Sequence, residues 1–377
     1  MSVRRRSWKT KSGESRSAWV VDYADRDGRH IASFKRKADA DDYDAEVRTA
    51  VRAGTHTAPS RSPTVAEAVA SWLIRGETEG LERATLKQYR ELGAHIEQHL
   101  GTLRLAELTT PGINEFRDTL LQTMSRTMAR KVLTALKGVL AEAQRRGNVA
   151  QNVALSVSVG PDRRRAGLEV GVDIPTPDEI RSILETASTR ARPLLVTAAL
   201  TGLRASELRG LHWDDVDLKR GELRVRRRAD RYGTIGRPKS RAGQRTVPLG
   251  PMVVNTLKAW RLASTSKGLV FATRTGKSLD HPSLWARMLA PAQIKAGVVT
   301  AGSKPKYSFH ALRHFYASWC INRRVDGGLE LPLKMVQARL GHASIQMTAD
   351  RYGHLFPSAD DGAELAAAEK ALLRPVS

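Results

Sequence analysis

The chain has one cysteine, Cys320, so no internal disulfide framework and no metal site built from several thiolates is open to it. It lacks any run of about 18 apolar residues, the length a transmembrane helix needs. Its first residues, MSVRRRSWKTKSGESRS, are basic with no apolar stretch behind them, which does not read as a secretory signal. It contains no internal repeat and no H-E-x-x-H pair of the zinc-protease kind. Acidic residues are in short supply, with 39 Asp and Glu against 62 Lys and Arg, a net charge of +23 and a pI near 10.6. Together these absences predict a cytoplasmic chain whose surplus positive charge answers a polyanion, of which nucleic acid is the commonest. An anionic membrane fits less well, because no basic amphipathic helix with large apolar anchors stands out.

What is present predicts two or three domains. Hydrophobic residues make up 41% of 377, enough to bury real cores. In residues 1–56 two alternating runs, AWVVDYAD (18–25) and RHIASFK (29–35), flank Asp27-Gly28, a hairpin signal. Residues 37–51 then show helical periodicity, and Arg4, Arg5, Arg6, Lys9 and Lys11 stand in front. A small sheet carrying one helix is expected, of a size for contacting DNA rather than for catalysis. HTAPSRSPT (56–64) reads as a linker. Residues 64–150 are helical throughout, four helices forming a bundle, with a capping box at Thr64 and Glu67 and helix ends at Gly101 and Gly147. Residues 153–173 read as an irregular linker whose basic triplet, Arg163 to Arg165, suits a phosphate backbone. A third domain, 173–377, opens with Thr176 as cap, Pro177 at the first helical position and Glu179 closing the box. Its middle is strand-rich (ELRVRRR, QRTVPLG, GLVFAT) and helices follow to the end. The expected fold class is multidomain and mainly α, with small β elements.

Four polar stretches of the third domain stand out. TGLRASELRGLHW (201–213) sets Arg204 and Glu207 three apart. From Lys219 to Arg245 eleven Lys and Arg face only Glu222 and Asp230, a local net of +9, with Lys239 in the turn of a predicted hairpin. SFHALRHFYASWC (308–320) places His310 and Arg313 on one helix face with His314 one position further round. LGHASIQMTADRYGH (340–354) holds His342 and Tyr352. A zinc cluster of His310, His314, His342 and His354 is disfavoured, since no carboxylate or cysteine stands beside them at zinc-like spacing. Each stretch alone also fits an ordinary solvated surface.

Taken together they suit one reaction. A phosphodiester under attack gathers negative charge on its non-bridging oxygens, and two arginines neutralise those oxygens without surrendering their own protons. A histidine takes a proton near neutral pH, a lysine protonates the departing oxygen, and a phenol attacks phosphorus. Arg204, Lys239, His310, Arg313, His342 and Tyr352 cover these roles with no cofactor and no metal.

The ordered set TGLRASEL, a basic-hairpin lysine, HALRH, LGH and TADRYGHLF resembles the tyrosine recombinase (phage integrase) family over about residues 173 to 357. By position and pattern, the bundle resembles that family's SAM-like core-binding domain and the N-terminal sheet the arm-binding domain of lambda-type integrases. The resemblance implies a site-specific DNA recombinase of a phage or mobile element, with an α+β catalytic domain. Tyr352 would form a 3′-phosphotyrosyl link, Arg204 and Arg313 would clamp the phosphate and Lys239 would protonate the leaving 5′-oxygen. His310 would assist proton transfer, His342 would bond the phosphate and Glu207 would orient neighbouring groups. In the Lys239 region, Lys219 and several arginines compete for the acid's role; His314 is set aside because it lacks the three-residue relation to Arg313. The implied partners are double-stranded DNA at core and arm sites, three further copies in a homotetramer, and DNA-bending or directionality proteins. A type IB topoisomerase-like enzyme and a non-catalytic DNA-binding regulator remain the alternatives.

Overall fold

The computed structural model describes residues 2–10, 13–25, 28–52, 62–160, 167–356 and 361–373. The chain divides into two compact units, Met1–Arg163 and Arg164–Ser377.

The first unit begins with three antiparallel strands, β1 (Ser2–Lys9), β2 (Ser15–Asp25) and β3 (Gly28–Phe34), in the order β1-β2-β3. Alternate residues of β2, Trp19, Val21 and Tyr23, face the helix α1 (Lys37–Arg52), which returns Ala40, Tyr43 and Val47 at helical spacing. Asp22 points the other way and accepts hydrogen bonds from Arg4 of β1 and Arg29 of β3. The basic N-terminal residues are therefore themselves a strand, with Arg4, Arg5 and Arg6 registered opposite Val20, Trp19 and Ala18. A run of charged side chains carries no hydrophobic alternation, so nothing in its own sequence marked it as a strand; its pairing comes from the backbone of β2. Lys11 and Asp27 lie outside the described residues.

Four helices follow: α2 (Val65–Thr78), α3 (Arg83–Leu100), α4 (Thr110–Thr123) and α5 (Arg126–Arg145). Thr64 and Glu67 form the expected capping box, with Glu67 N–H on the Thr64 hydroxyl at 3.2 Å and Thr64 N–H on the Glu67 carboxylate at 2.7 Å. The central helix is α5, whose Val132, Leu133, Leu136, Val139, Leu140 and Ala143 make a continuous buried stripe. Residues 154–159, irregular by sequence, supply Ala154, Val157 and Val159 to the same core. The guanidinium of Arg130 holds the carbonyls of Val159 and Gly160, and Lys137 that of Leu155. The start of HTAPSRSPT, 56–61, and the triplet Arg163 to Arg165 lie outside the described residues.

The second unit is built around an apolar helix. After α6 (Pro177–Thr186), capped by Thr176 and Glu179 as its sequence predicts, comes α7 (Arg192–Thr201), where Leu194, Leu195, Val196, Ala198 and Ala199 are all buried. Such a helix, apolar on every side, must sit inside. Then come α8 (Ala205–Arg209), the strands β4 (Val216–Asp217), β5 (Glu222–Val225), β6 (Arg228–Ala229), β7 (Ile235–Gly236) and β8 (Arg245–Pro248), and α9 (Pro251–Ala263). The strands form a β4-β5-β8 sheet and a β6-β7 ladder, so Lys239 lies not in the turn of a hairpin, as expected, but in the connection from β7 to β8, which belong to different sheets because β8 pairs with β5. GLVFAT is not a strand. It makes only single bridges, His212 to Leu269 and Ala272 to Ser278, because its apolar run serves to bury Val270 and Phe271 in the core. A short α10 (His281–Leu284) passes through a π turn into α11 (Ala290–Lys295), and then α12 (Phe309–Ile321), α13 (Leu333–Leu340), α14 (Ile345–Tyr352) and α15 (Asp361–Leu372) complete the chain.

Leu136 is fully buried at the middle of α5. Replacing it with alanine should cost about 2–5 kcal/mol, the range for emptying such a site, and lower the urea midpoint of unfolding. An unchanged midpoint would mean that α5 does not organise the bundle.

Candidate functional site

The site begins where α7 stops. Gly202 ends that helix at φ +63°, and a Cβ there would lie 2.3 Å from the ring of Tyr316 on α12. Only glycine meets both demands, and the tight turn delivers Arg204 to the N-cap of α8. Arg204 and Glu207 are not two side chains on one helix face, as their spacing suggests. Glu207 folds back and takes the Arg204 backbone N–H at 2.9 Å and its Nη1 at 2.8 Å, a capping box with arginine in the cap position.

The same carboxylate receives a second guanidinium. Arg245, the first residue of β8, donates Nη1 and Nη2 to the two oxygens of Glu207 at 3.0 and 2.9 Å, and its Nε to the carbonyl of Arg339 at 2.7 Å. Glu207 is 2% exposed. Burial pushes its carboxyl up, but the hydrogen bonds and charge of Arg245, with those of Arg204, outweigh this and hold it below the usual carboxylate range. A third guanidinium, Arg313 of α12, is equally buried and donates to the carbonyl of Gly202 at 2.7 Å and that of Leu340 at 2.6 Å. These carbonyls end α7 and α13 and have no partner within their helices, so a cation there meets the negative ends of two helix dipoles. Burial first, then the neighbouring Arg204, brings Arg313 down to about 9, still charged at neutral pH.

Arg204 reaches the carbonyl of Gly341, whose φ of +65° turns the chain out of α13 and places His342. A Cβ at 341 would stand 2.8 Å from the carbonyl oxygen of Ala242, so this approach too requires glycine. His342 Nδ1 lies 2.9 Å from the Thr348 hydroxyl, and its ring lies parallel to that of Tyr352 with centroids 6.2 Å apart. Tyr352, the last residue of α14, is 1% exposed, and its hydroxyl is 2.7 Å from His314 Nδ1. Burial raises the phenol above its ordinary pKa while Arg313, Arg351 and Arg204 pull it back. All three nearby histidines are held neutral: burial, followed by cationic neighbours, drops His342 to about 4, and burial, then His310 and the arginines, drops His314 to about 3. His310 is displaced in the same direction, although it keeps an exposed edge.

Arg204, His310, Arg313, His342 and Tyr352 thus line one cavity of about 180 Å³, together with His314, Met347 and Arg351. Lys239, exposed between β7 and β8, is not among its lining residues. Sequence reasoning passed over Arg245, which looked like one more charge on a basic hairpin, and set His314 aside. The signal for His314 was present, since it stands four residues after His310 and so shares its face of the helix. His354 turns elsewhere, with Nε2 2.8 Å from the carbonyl of Leu168. Among the described residues no three His, Cys, Asp or Glu side chains gather in a way that could hold a metal ion, and no helix is long and apolar enough to cross a membrane.

Fold and site together define a class: a multidomain, mainly helical chain that buries a tyrosine hydroxyl beside an excess of guanidinium charge. Comparison with known proteins makes that class specific. The profile of the phage integrase family matches residues 175–358. A tyrosine recombinase XerC of Mycobacterium sp. (strain JLS) is 30% identical over 303 residues, covering 75% of this chain and 90% of that protein. An integrase of Streptomyces ambofaciens is 28% identical over 366 residues, 90% of each chain. The fold also matches a lambda integrase tetramer bound to a Holliday junction, with a TM-score of 0.60 and 18% identity over 94% of this chain and 96% of that one. The chain belongs to the phage integrase family, the tyrosine recombinases, and is a site-specific recombinase.

The Glu207 carboxylate should be indispensable to this geometry. Glu207→Gln leaves Arg245 buried without its counter-charge and should cost about 3–5 kcal/mol, measured as a lower urea midpoint. Because the folded carboxyl sits below its unfolded value, the stabilisation is present above the ordinary carboxylate pKa and fades as acid titrates the folded group. A Gln variant as stable as the parent would remove Glu207 from this role.

Proposed function

We propose that the chain cleaves and rejoins DNA strands at the Arg204–Arg313 pocket, with Tyr352 as nucleophile. The carrying observation is that Tyr352, Arg204 and Arg313 line one small cavity, with Tyr352 and Arg313 themselves buried. A phosphodiester entering it brings the charge that the cavity lacks. Arg204 and Arg313 bind its non-bridging oxygens, which become more negative as the fifth bond to phosphorus forms. His342, neutral and held at Nδ1 by Thr348, offers its other ring nitrogen as a further hydrogen-bond donor when the Thr348 hydroxyl donates to Nδ1. His310, at the open edge, assists proton transfer.

In the reaction the Tyr352 oxygen bonds to phosphorus, the bond to the 5′-oxygen breaks, and the products are a 3′-phosphotyrosyl link and a free 5′-hydroxyl. Lys239 gives the leaving oxygen its proton, swinging in on its exposed connection once DNA is bound. Reversal by a 5′-hydroxyl from another duplex rejoins strands in a new arrangement, and the phosphotyrosyl bond conserves the energy of the broken one. No step draws on a metal.

The surplus charge of the rest of the chain supports the same reading. Residues 1–56, with Arg4, Arg5 and Arg6 exposed on β1, serve as the arm-type contact; residues 64–150 serve as the core-binding domain and 173–377 as the catalytic domain. A homotetramer on paired core sites, acting in the bacterial cytoplasm on phage or mobile-element DNA with bending or directionality proteins, completes the proposal. Two marked duplexes incubated with the protein should exchange strands, whereas a topoisomerase-like enzyme would only relax supercoils.

On a nicked suicide duplex, Tyr352→Phe should bind DNA normally and form no covalent adduct, since only the hydroxyl is lost. Arg204→Ala and Arg313→Ala should each slow adduct formation by about 10²–10³-fold, the usual effect of removing one transition-state donor. An adduct in the Phe variant, trapped and resolved by denaturing electrophoresis, would assign the nucleophile elsewhere.

A further inference from the structure

We propose that His314 is a further catalytic residue, the base that takes the proton from Tyr352 as its oxygen attacks phosphorus. The inference rests on the reading of Tyr352 as nucleophile and adds to it the fate of the phenolic proton. Tyr352 must lose that proton to attack, and the group hydrogen-bonded to its hydroxyl is His314 Nδ1, at 2.7 Å, within a buried contact. In the tautomer that carries the ring's hydrogen on Nε2, which the proposal takes for His314, Nδ1 accepts the phenolic hydrogen across this contact. Distance and acceptor are thus in place before substrate arrives. The other two histidines are less well placed. His342 engages Thr348 through Nδ1 and lies parallel to the tyrosine ring rather than end-on to its hydroxyl. His310 stands edge-on to His314, with centroids 4.5 Å apart, and is itself exposed.

The transfer is balanced. The O–H bond of Tyr352 breaks, Nδ1 of His314 gains the proton, the tyrosine oxygen bonds to phosphorus, and the 5′-oxygen departs with a proton from the acid. Religation reverses each part, the His314 imidazolium returning its proton to the departing phenolate. Helix α12 contributes His310 and Arg313 to the surroundings of His314, α14 contributes Arg351 and the phenol, and the segment before α6 contributes Asp173. Only Asp173 favours the imidazolium; the cations and the low polarity oppose it. A bound phosphodiester offsets Arg313 and Arg351 with negative charge and raises the basicity of His314. Proton removal is thereby coupled to DNA: without substrate, Tyr352 stays protonated, hydrogen-bonded and inert.

The test is single-turnover cleavage of a nicked suicide duplex by the full chain carrying His314→Ala or His314→Gln, each first shown to bind the duplex. Adduct formation should fall by about 10²–10⁴-fold near neutral pH, the usual contribution of a positioned base. The residual rate should climb about tenfold per pH unit through the alkaline range as hydroxide replaces the lost base, while the parent responds less steeply. Added imidazole should partly restore the Ala variant. Cleavage by either variant within about threefold of the parent would overturn the proposal, and so would a loss equal at every pH with no imidazole rescue, which marks a structural contact. Tyr352→Phe, run alongside, separates the two readings: an adduct there removes the nucleophile assignment itself, whereas a dead Phe variant beside a fully active Ala variant removes only the role of His314.

Discussion

Everything at the candidate site hangs on one buried carboxylate. Glu207 accepts four hydrogen bonds, two from Arg204 and two from Arg245, and it is almost entirely withdrawn from water. A lone carboxylate in such a place would be protonated or expelled; two guanidinium groups in fork geometry keep it charged and fixed. The network ties three parts of the second unit together, since Arg204 opens α8, Arg245 opens β8 and both reach to the end of α13. The position of Gly341, and with it of His342, follows from that tie.

One carboxylate cannot neutralise three guanidinium groups. Arg204, Arg245 and Arg313 leave a surplus of positive charge beside the cavity, and it adds to burial in shifting the histidines there. Burial first, then positive neighbours, pushes His310, His314 and His342 toward the neutral form, and burial raises the phenol of Tyr352 while Arg313, Arg351 and Arg204 offset part of that rise. The empty cavity is therefore an electrostatic mould for an anion. The close approaches that assemble it fall at Gly202 and Gly341, where glycine takes a positive φ without strain and a side chain would collide with Tyr316 or with Ala242.

The first unit carries its positive charge in a different way. Its charges lie on the surface, on an edge strand and on the outer faces of a helical bundle, where guanidinium and ammonium groups stay hydrated and exchange counterions readily. Buried arginines suit a single scissile phosphate held in one geometry; exposed ones suit many phosphates held in register.

Much of this was legible in the sequence because it depends on neighbours in the chain. The capping boxes at Thr64 and Thr176, the apolar periodicity of α5 and the i, i+3 pairing of His310 with Arg313 are local, and their residue types specify them. The basic balance and the single cysteine bounded the chemistry before any fold was known. Tertiary structure decided the rest. The strand β1 exists because β2 lends it backbone partners, and GLVFAT is not a strand because the core took its side chains. Arg245 became the second ligand of Glu207, 38 residues away, only when β8 was laid beside the end of α13. His314, dismissed on spacing, came to touch Tyr352, 38 residues away, because the end of α14 returns to the apolar cluster around Tyr316 and Ala317 of α12. Periodicity reports which face of an element is buried; it carries no information about which distant face will be laid against it, and that is where a proton acceptor is chosen.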